Sequence, residues 1–225
     1  MSFEVAVLLL GWGTLVGLDL TSVMQSMIAR PIVAGAIAGA ILGDLPSGLR
    51  IGVMFELLQY DILPLGASRY PEYGPATVAA TATAHLLSGA LGLGLGAVVG
   101  LFTGLLGGVS MNAVRRLNTN AVHRAAPALE AGDTQALMRL HVASIGRDAV
   151  RALLVTGSGL VLATGTHALP GQTIHVRGAV LLAAAATGAV IAAGTSGTVR
   201  LIGRGSAIGW FAAGLLGGVA GAWLR

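Results

Sequence analysis

Residues 30–76 are apolar enough to enter a membrane, yet they are repeatedly broken by proline and carry ionisable side chains. Five of the seven prolines fall here, and no piece between Pro31 and Pro75 reaches the roughly 20 residues of a membrane-spanning helix. Broken backbone and charge persist at membrane depth only where they are buried in protein or line a wet cavity. The segment therefore predicts a substrate site built from discontinuous helices. Its ionisable residues are Asp44, Arg50, Glu56, Asp61, Arg69 and Glu72.

The composition of the whole chain is that of an integral membrane protein. Of its 225 residues, 55% are hydrophobic and 10% are charged, and the mean hydropathy is +0.83; a soluble domain carries about a quarter charged residues. We expect an all-α membrane protein of about 6–8 transmembrane or re-entrant helices, folded as one domain over residues 1–225. The net charge of +4 is modest and indicates loop orientation rather than a nucleic-acid partner. The absence of cysteine excludes disulfide and thiol chemistry.

The first apolar run, residues 5–18, is too short for a full span. Glu4 stands where a secretory signal peptide would be positive, and no small-residue cleavage site precedes Asp19, so we expect this run to be retained. With residues 20–29 it forms either a tilted span or a half-helix followed by a second piece. The polar residues favour interruptions at Asp19 and Gln25, and hence broken half-helices throughout residues 19–76.

Residues 32–43 form a helix that is rich in small residues. Gly35 and Gly39 are four apart, a spacing that lets two helix backbones approach closely, so we expect them to serve helix packing. A turn-forming sequence follows. A second short apolar piece, residues 49–58, then carries Glu56 in its interior.

Residues 76–114 contain no charged side chain. A helix of about 40 residues would be about 60 Å long, twice the thickness of the hydrocarbon core of a bilayer. The run must therefore turn back, and its glycines place the turn within residues 89–96. His85 is either a contact for a proton or a substrate or, as we favour, a packed neutral histidine that donates to a helix carbonyl.

An amphipathic segment, residues 112–147, follows and is called the arm below. Its apolar residues recur three and four apart, as in a helix that lies along an interface or packs against a partner. Gly132 and Asp133 predict a break and an N-cap for a second helix. The arginine excess places the arm in the cytoplasm under the positive-inside rule, either as a solvated connector or as a docking surface. The arginines are Arg115, Arg116, Arg124, Arg139 and Arg147, with Arg151 just beyond the arm.

Three candidate spans complete the chain at residues 152–170, 178–199 and 205–224. They are rich in Ala and Gly and poor in polar groups, so we expect residues 152–224 to form scaffold helices around the site. The pattern gives no role to His167 and His175, which lie near the predicted ends of these helices.

The sequence signatures of familiar catalytic chemistry are missing. The chain has no phosphate-binding G-x-x-x-x-G-K-[ST] loop and no G-x-S-x-G nucleophile elbow. It also has no H-E-x-x-H motif or other His/Cys cluster at metal spacing. We therefore expect no catalytic residue, no metal and no cofactor in this chain.

One composite pattern resembles a known family. The pattern reads Arg30-Pro31, Leu42-Gly43-Asp44, Ser47-Gly48, Gly52, Glu56 and Gly66-Ala67. This order is similar to that of the membrane-embedded IIC component of the mannose/fructose/sorbose-type sugar phosphotransferase systems. Upstream, Gly17-Leu18-Asp19 matches a Gly-x-Asp of that family, and His141-Val142-Ala143-Ser144 resembles the end of its amphipathic arm. The resemblance covers most of residues 10–151.

The resemblance implies a sugar permease subunit that crosses the bacterial inner membrane several times. Such a subunit binds and translocates a hexose-type sugar beside a second membrane subunit, IID, while soluble IIA and IIB proteins deliver phosphate to the sugar. The chain would then be a transport subunit in the lipid bilayer and not an enzyme. Homo-oligomers are compatible with this role, and no nucleic-acid partner is implied.

Glu56 is the residue that we expect to be the main acceptor for the sugar, because carboxylates accept bidentately from vicinal hydroxyls. Asp19 is the second candidate. The alternative for Glu56 is an intramembrane ion pair with Arg30 or Arg50. Further cavity-lining candidates are Gln25, Asp61 and Arg69, and candidates for a structural or gating role are Asp44, Arg30 and Pro31. The family pattern is not kept at Tyr60-Asp61-Ile62 and Leu63-Pro64, so the choice of sugar is not carried across.

Two other functions are compatible with these residues. An ion-coupled secondary transporter or channel-like protein would use Asp19, Glu56 and Asp61 for coupling. A non-transporting, regulatory homologue would use the arginine-rich arm as a docking surface and would be indifferent to Glu56→Gln.

Overall fold

A computed structural model describes residues 1–23, 25–60, 70–167 and 176–202. Within these ranges every regular element is an α-helix, which confirms the predicted all-α class. The last predicted span, residues 205–224, lies outside the described residues. The seven helices described are α1 (Phe3–Asp19), α2 (Pro31–Leu42), α3 (Leu45–Gln59), α4 (Tyr73–Leu87), α5 (Gly89–Glu130), α6 (Thr134–His167) and α7 (Val176–Ile202).

The first three helices are short. Helix α1 has 17 residues, α2 has 12 and α3 has 15, so even the longest extends only about 25 Å, less than the hydrocarbon core. Helix α1 ends at Asp19, and Pro31 opens α2, where its missing N–H breaks no helical hydrogen bond. The predicted half-helices and the predicted interruption at Asp19 are therefore confirmed.

Helices α2 and α3 form a hairpin, called the α2–α3 hairpin below. Helix α2 ends at Gly43, whose φ of +70° turns the chain in a conformation that glycine adopts without strain. Asp44 then caps α3, because its Oδ1 accepts the Ser47 N–H at 3.2 Å. The tip of the hairpin is thus a compact turn with both helix ends satisfied.

Four glycines let the two helices of the hairpin pack backbone to backbone. A Cβ atom on Gly35 would lie 2.5 Å from the Gly48 carbonyl oxygen, and one on Gly48 would lie 2.2 Å from the Gly35 carbonyl oxygen. Gly39 and Gly52 make similarly close backbone contacts across the pair. The predicted packing role of Gly35 and Gly39 is confirmed, and their partners belong to the same chain.

The long uncharged run turns back between α4 and α5, as predicted. Helix α4 ends at Leu87, and Ser88 and Gly89 then take φ values of 52° and 57°. The turn lies at the first residue of the predicted region, and α5 continues through residues 92–96 without a break.

The last three helices of the described structure are long, with 42 residues in α5, 34 in α6 and 27 in α7. Each contains a stretch long and apolar enough to cross a membrane, within Gly89–Glu130, Thr134–Thr166 and Arg177–Thr195. Helix α6 continues from the arm into its apolar half without a break. The second half of the arm and the span predicted from residue 152 are therefore one helix.

The arm consists of the end of α5 and the beginning of α6. Gly132, with a φ of +78°, separates the two helices, and Asp133 Oδ1 accepts the N–H groups of Gln135 at 2.8 Å and Ala136 at 3.1 Å. The predicted break and N-cap are confirmed. The arm leaves several large apolar side chains exposed, namely Leu117, Val122, Leu137, Met138 and Val142.

Helix α4 is the centre of the fold. Every residue from Tyr73 to Ala84 is buried, so the helix is enclosed on all sides rather than along one face. Val78 packs with residues of α1, α2 and α6, whereas Ala80 packs with residues of α3, α5 and α7. Phe55 of the hairpin meets Tyr73 edge to face, with ring centroids 5.7 Å apart. Through these contacts α4 holds the hairpin that carries the predicted site.

Candidate functional site

Glu56 lies at the open end of the α2–α3 hairpin, beside the beginning of α2. Its Oε1 is paired with the Arg30 guanidinium, and its Oε2 accepts the Ile32 N–H at 3.2 Å. The Glu56 side chain is 19% exposed, and the Arg30 side chain is 44% exposed. The ion pair that the sequence allowed as an alternative is therefore present, with Arg30 and not with Arg50.

The first turn of α2 explains why a carboxylate sits there. The first N–H groups of a helix have no partner within the helix and favour negative charge. Pro31 has no N–H to offer, and the Arg30 side chain makes no cap hydrogen bond, so Ile32 takes its acceptor from the neighbouring helix. Glu56 thus completes the N-terminus of α2, where Arg30 is the N-cap residue and Pro31 is the first residue of the helix.

Asp19 is buried at the end of α1, directly before the loop of residues 20–30, which is called the 20–30 loop below. Its Oδ1 accepts the N–H of Ser26 at 2.6 Å and the hydroxyl of Ser26 at 2.8 Å, and its Oδ2 accepts the Ala29 N–H at 3.1 Å. These three bonds shape the loop that leads into Arg30. Asp19 therefore acts on the Glu56 region indirectly, by holding the loop backbone that leads to Arg30.

Gln25 lies in the same loop and is exposed. Its φ of 52° and the φ of 66° at Met27 are left-handed, so the loop is irregular at the predicted second interruption. A cavity of about 10 Å³, room for about one water, separates this loop from the end of α3 and the start of α4. Gln59, Tyr70 and Tyr73 supply its polar groups. The other two predicted cavity-lining residues, Asp61 and Arg69, lie outside the described residues.

Asp44 lies at the other end of α3, about 18 Å from Glu56 along the helix. Its Oδ2 is 3.3 Å from His85 Nδ1 at the end of α4. Burial would raise the pKa of Asp44, but the hydrogen bonds from Ser47 and His85 outweigh burial and lower it. The prediction that His85 donates to a helix carbonyl is wrong, because its ring faces this carboxylate and is partly exposed. The structure therefore assigns Asp44 to the hairpin tip, away from Glu56.

The sequence reasoning missed a buried charge cluster made of Glu72, Asp148 and Arg151. Arg151 Nη2 is 2.9 Å from Glu72 Oε1, and Arg151 Nε is 2.6 Å from Asp148 Oδ1. The sequence places Glu72 among the ionisable residues of the segment 30–76 and Arg151 just beyond the arginine-rich arm, and it predicts no contact between them. One signal was present, since Asp148 and Arg151 are three residues apart, on one helix face, where the arm passes into an apolar run.

Within the described ranges no group of three His, Asp or Glu side chains is placed to hold a metal ion. The chemistry available at the open end of the hairpin is hydrogen bonding. A carboxylate, a guanidinium and the first N–H groups of a helix lie side by side there, next to a loop with exposed polar residues.

The family of this chain follows from a match over nearly its whole length. Residues 4–219 match the model of the PTS system sorbose-specific IIC component. The chain belongs to this family. The match extends over the α2–α3 hairpin, the arm and the long helices, so it covers the part of the chain that the sequence resemblance left open after residue 151.

Curated relatives include IIC components for three sugars. The chain is 27% identical to the fructose permease IIC component of Bacillus subtilis over 127 residues, 56% of this chain and 46% of that protein. It is 26% identical to the mannose-specific EIIC component of Escherichia coli K12 over 125 residues, 56% of this chain and 46% of that protein. It is 28% identical to the sorbose-specific EIIC component of Klebsiella pneumoniae over 131 residues, 56% of this chain and 48% of that protein. These matches span about half the length of the curated relatives.

Two solved structures share the fold of this IIC family member. One, described as the structure of a membrane protein, has a TM-score of 0.66. The other is the cryo-EM structure of the mannose transporter ManYZ with microcin E492, with a TM-score of 0.58. Each is 19% identical and covers 97% of this chain and 87% of its own. At this identity the likeness shows the fold alone and carries no conclusion about ligands.

Proposed function

We propose that this chain is the sugar-binding membrane subunit of a phosphotransferase system of the mannose/fructose/sorbose family. It binds a hexose-type sugar and translocates it across the bacterial inner membrane, while partner subunits phosphorylate the sugar during uptake. Membership of the IIC family over residues 4–219 supports this role. The chain acts as a transport subunit, and phosphoryl transfer belongs to a IIB partner.

The observation that carries the proposal is the Glu56 carboxylate at the N-terminus of α2. A sugar presents vicinal hydroxyls, which need acceptors and donors of fixed geometry. Glu56 supplies the acceptors, and Arg30 and the first turn of α2 supply donors. Because the Arg30 side chain is 44% exposed, it can reorient towards water when hydroxyls take its place on Glu56. Gln25, Asp61 and Arg69 complete the site in this proposal, and Asp19 holds the loop that lines it.

The proposal includes three partners. A IID membrane subunit packs beside this chain in the bilayer, and soluble IIA and IIB proteins carry phosphate to the cytoplasmic side. The exposed apolar and arginine-rich faces of the arm suit contact with such partners. The structure of the mannose transporter ManYZ, which shares this fold, supports a IID partner.

The test is sugar uptake with phosphate transfer in reconstituted membranes that contain the IIA, IIB and IID partners. Mannose, fructose and sorbose are offered to the wild type, to Glu56→Gln and to Glu4→Gln, a control at an exposed glutamate of α1. We expect Glu56→Gln to lower phosphorylating uptake by about 10- to 100-fold, since one charge-assisted pair of hydrogen bonds to the sugar is lost. Glu4→Gln should behave as the wild type.

Two outcomes contradict the proposal. Uptake that persists without phosphorylation favours the ion-coupled secondary transporter, and it would then depend on a pH or sodium gradient. Glu56→Gln uptake equal to that of the wild type contradicts the assignment of the site.

A further inference from the structure

The cluster of Glu72, Asp148 and Arg151 is buried in the interior of the described structure. The exposed fractions of the three residues are 1%, 2% and 4%. Arg151 donates to both carboxylates, in a fork that also contacts the Gly17 carbonyl oxygen at 3.3 Å. A buried ion pair adds little net stability, because the cost of removing the charges from water offsets their attraction. The geometry of a buried ion pair does, however, favour one arrangement of the helices and loops that carry the paired side chains.

The cluster joins helix α6 to both chain segments that flank the α2–α3 hairpin. On the near side, Asp148 Oδ2 accepts the Ser22 hydroxyl and, at 3.4 Å, the Thr21 hydroxyl, and both residues lie at the start of the 20–30 loop. On the far side, Arg151 holds Glu72, which directly precedes α4. One turn of α6 therefore anchors the chain where it leaves for the hairpin and where it returns.

The same helix carries the arm. Helix α6 runs without a break from Thr134 to His167, so the cluster lies on the continuation of the arm. Side chains also tie the two helices of the arm together. Asn118 donates to the Ser144 hydroxyl at 2.7 Å, and Arg147 donates to Asn118 Oδ1 at 2.8 Å. The arm and the residues that hold the base of the hairpin therefore lie on one continuous helix, which side chains tie to the end of α5.

We infer that Asp148 and Arg151 are positioning residues that fix the base of the α2–α3 hairpin to α6, so that the candidate sugar site and the arm keep one relative placement. The inference rests on the proposed function for the identity of the ligand at the site. The mechanical part, one placement of hairpin and arm, stands on the contacts of the cluster alone.

The test changes Ser22, because removal of a charged member of the cluster would leave an unpaired charge in the core and endanger folding. Ser22→Ala removes the hydroxyl that donates to Asp148, and Ser22→Thr keeps a hydroxyl at the same place. Ser158→Ala is the matched control on α6, since the Ser158 hydroxyl donates to the Val155 carbonyl of its own helix at 2.8 Å.

Two readouts are made on the full chain in lipid nanodiscs. The first is the Kd for mannose, fructose and sorbose. The second is the distance distribution between spin labels on Val53→Cys of α3 and Met138→Cys of the arm, which are 46% and 63% exposed. The chain contains no cysteine, so the labels attach only at these two positions.

We expect Ser22→Ala to raise the sugar Kd by about tenfold and to broaden the distance distribution, because a charge-assisted hydrogen bond is lost. Ser22→Thr should restore both readouts, and Ser158→Ala should match the wild type. Unchanged readouts in Ser22→Ala, or failure of Ser22→Thr to restore them, overturn the inference. A wild type that binds none of the three sugars overturns the proposed function instead, and the distance distribution then decides the positioning role by itself.

Discussion

The single carboxylate of Glu56 has two partners within the protein. One oxygen satisfies an N–H at the start of α2, and the other is paired with Arg30 at a half-exposed position. An intramembrane carboxylate without such partners would be costly. The pairing therefore explains how the charge persists near the bilayer, and in the proposed function the exposed Arg30 side chain gives way to sugar hydroxyls.

Single residues in α4 provide a test of packing that does not involve the site. The Thr81 hydroxyl has no hydrogen-bond partner within the described structure, whereas the Thr77 hydroxyl donates to the Tyr73 carbonyl at 2.6 Å. Because an unpaired buried hydroxyl is unfavourable, Thr81→Val should raise the free energy of unfolding by about 1 kcal/mol. Thr77→Val, the control, should lower it by about 0.5–1 kcal/mol because a formed hydrogen bond is lost.

The measurement is the thermal unfolding midpoint in one detergent, where 1 kcal/mol corresponds to about 2–4 °C for a chain of this length. A lower midpoint for Thr81→Val would show that its hydroxyl has a partner in the folded protein.

Residues that act within their own helix or turn were predictable, and residues that act over long distances were not. Asp133 and Gly132 stand next to the groups they serve, so their roles follow from local rules. Arg151 and Glu72 are 79 positions apart, and His85 and Asp44 are 41 apart. Which partners meet at such separations depends on how α4 and α6 pack, and hydropathy does not contain that information.

At the scale of elements, the α2–α3 hairpin depends on a glycine contact between backbones. An added methyl group at Gly48 would lie 2.2 Å from the Gly35 carbonyl oxygen, and neither backbone can move without separating the helices. Gly48→Ala should therefore lower the free energy of unfolding by about 1–3 kcal/mol and reduce sugar uptake, because the proposed sugar site lies on this hairpin.

Gly146 of α6 provides the matched control, because an added Cβ there meets nothing within 4 Å. Gly146→Ala should raise the free energy of unfolding by about 1 kcal/mol, since alanine favours the helix over glycine. The thermal midpoints of both variants give the comparison. Equal shifts of the same sign would contradict the close contact in the hairpin.

The breaks between helices could be predicted from the positions of proline, glycine and charged residues. Pro31 and Asp19 bound the 20–30 loop, and the limited thickness of the bilayer required a turn near residue 89. The continuity of α6 could not be predicted from the sequence, because the arginines before residue 152 and the apolar residues after it indicated two separate segments. Their common helix arises from backbone hydrogen bonding, which does not respond to that change in polarity.

At the scale of the whole molecule, α5 connects opposite ends of the protein. The turn at Ser88 lies at one end of this helix, and the tip of the arm lies at the other, about 60 Å away. The hairpin tip lies on the side of Ser88, since Asp44 contacts His85 near the end of α4. We therefore expect the arm and the hairpin tip to face opposite sides of the membrane.

Cysteine labelling checks this orientation, because the natural chain has no cysteine. A membrane-impermeant maleimide should label Met138→Cys only from the cytoplasmic side, where the positive-inside rule predicts the arm. The same reagent should label Leu45→Cys, 47% exposed beside the hairpin tip, only from the opposite side. Labelling of both positions from one side of intact and inverted vesicles would contradict the arrangement.

Helix α4 has a consequence for genetic screens. Twelve consecutive residues of it are buried, and most of them are small, so almost any larger side chain there displaces a neighbouring helix. Random mutagenesis that selects for lost sugar uptake should therefore collect many α4 variants that contain no altered ligand contact. A screen designed to find residues that choose the sugar needs a second filter for protein abundance in the membrane, and the informative variants are those that pass it.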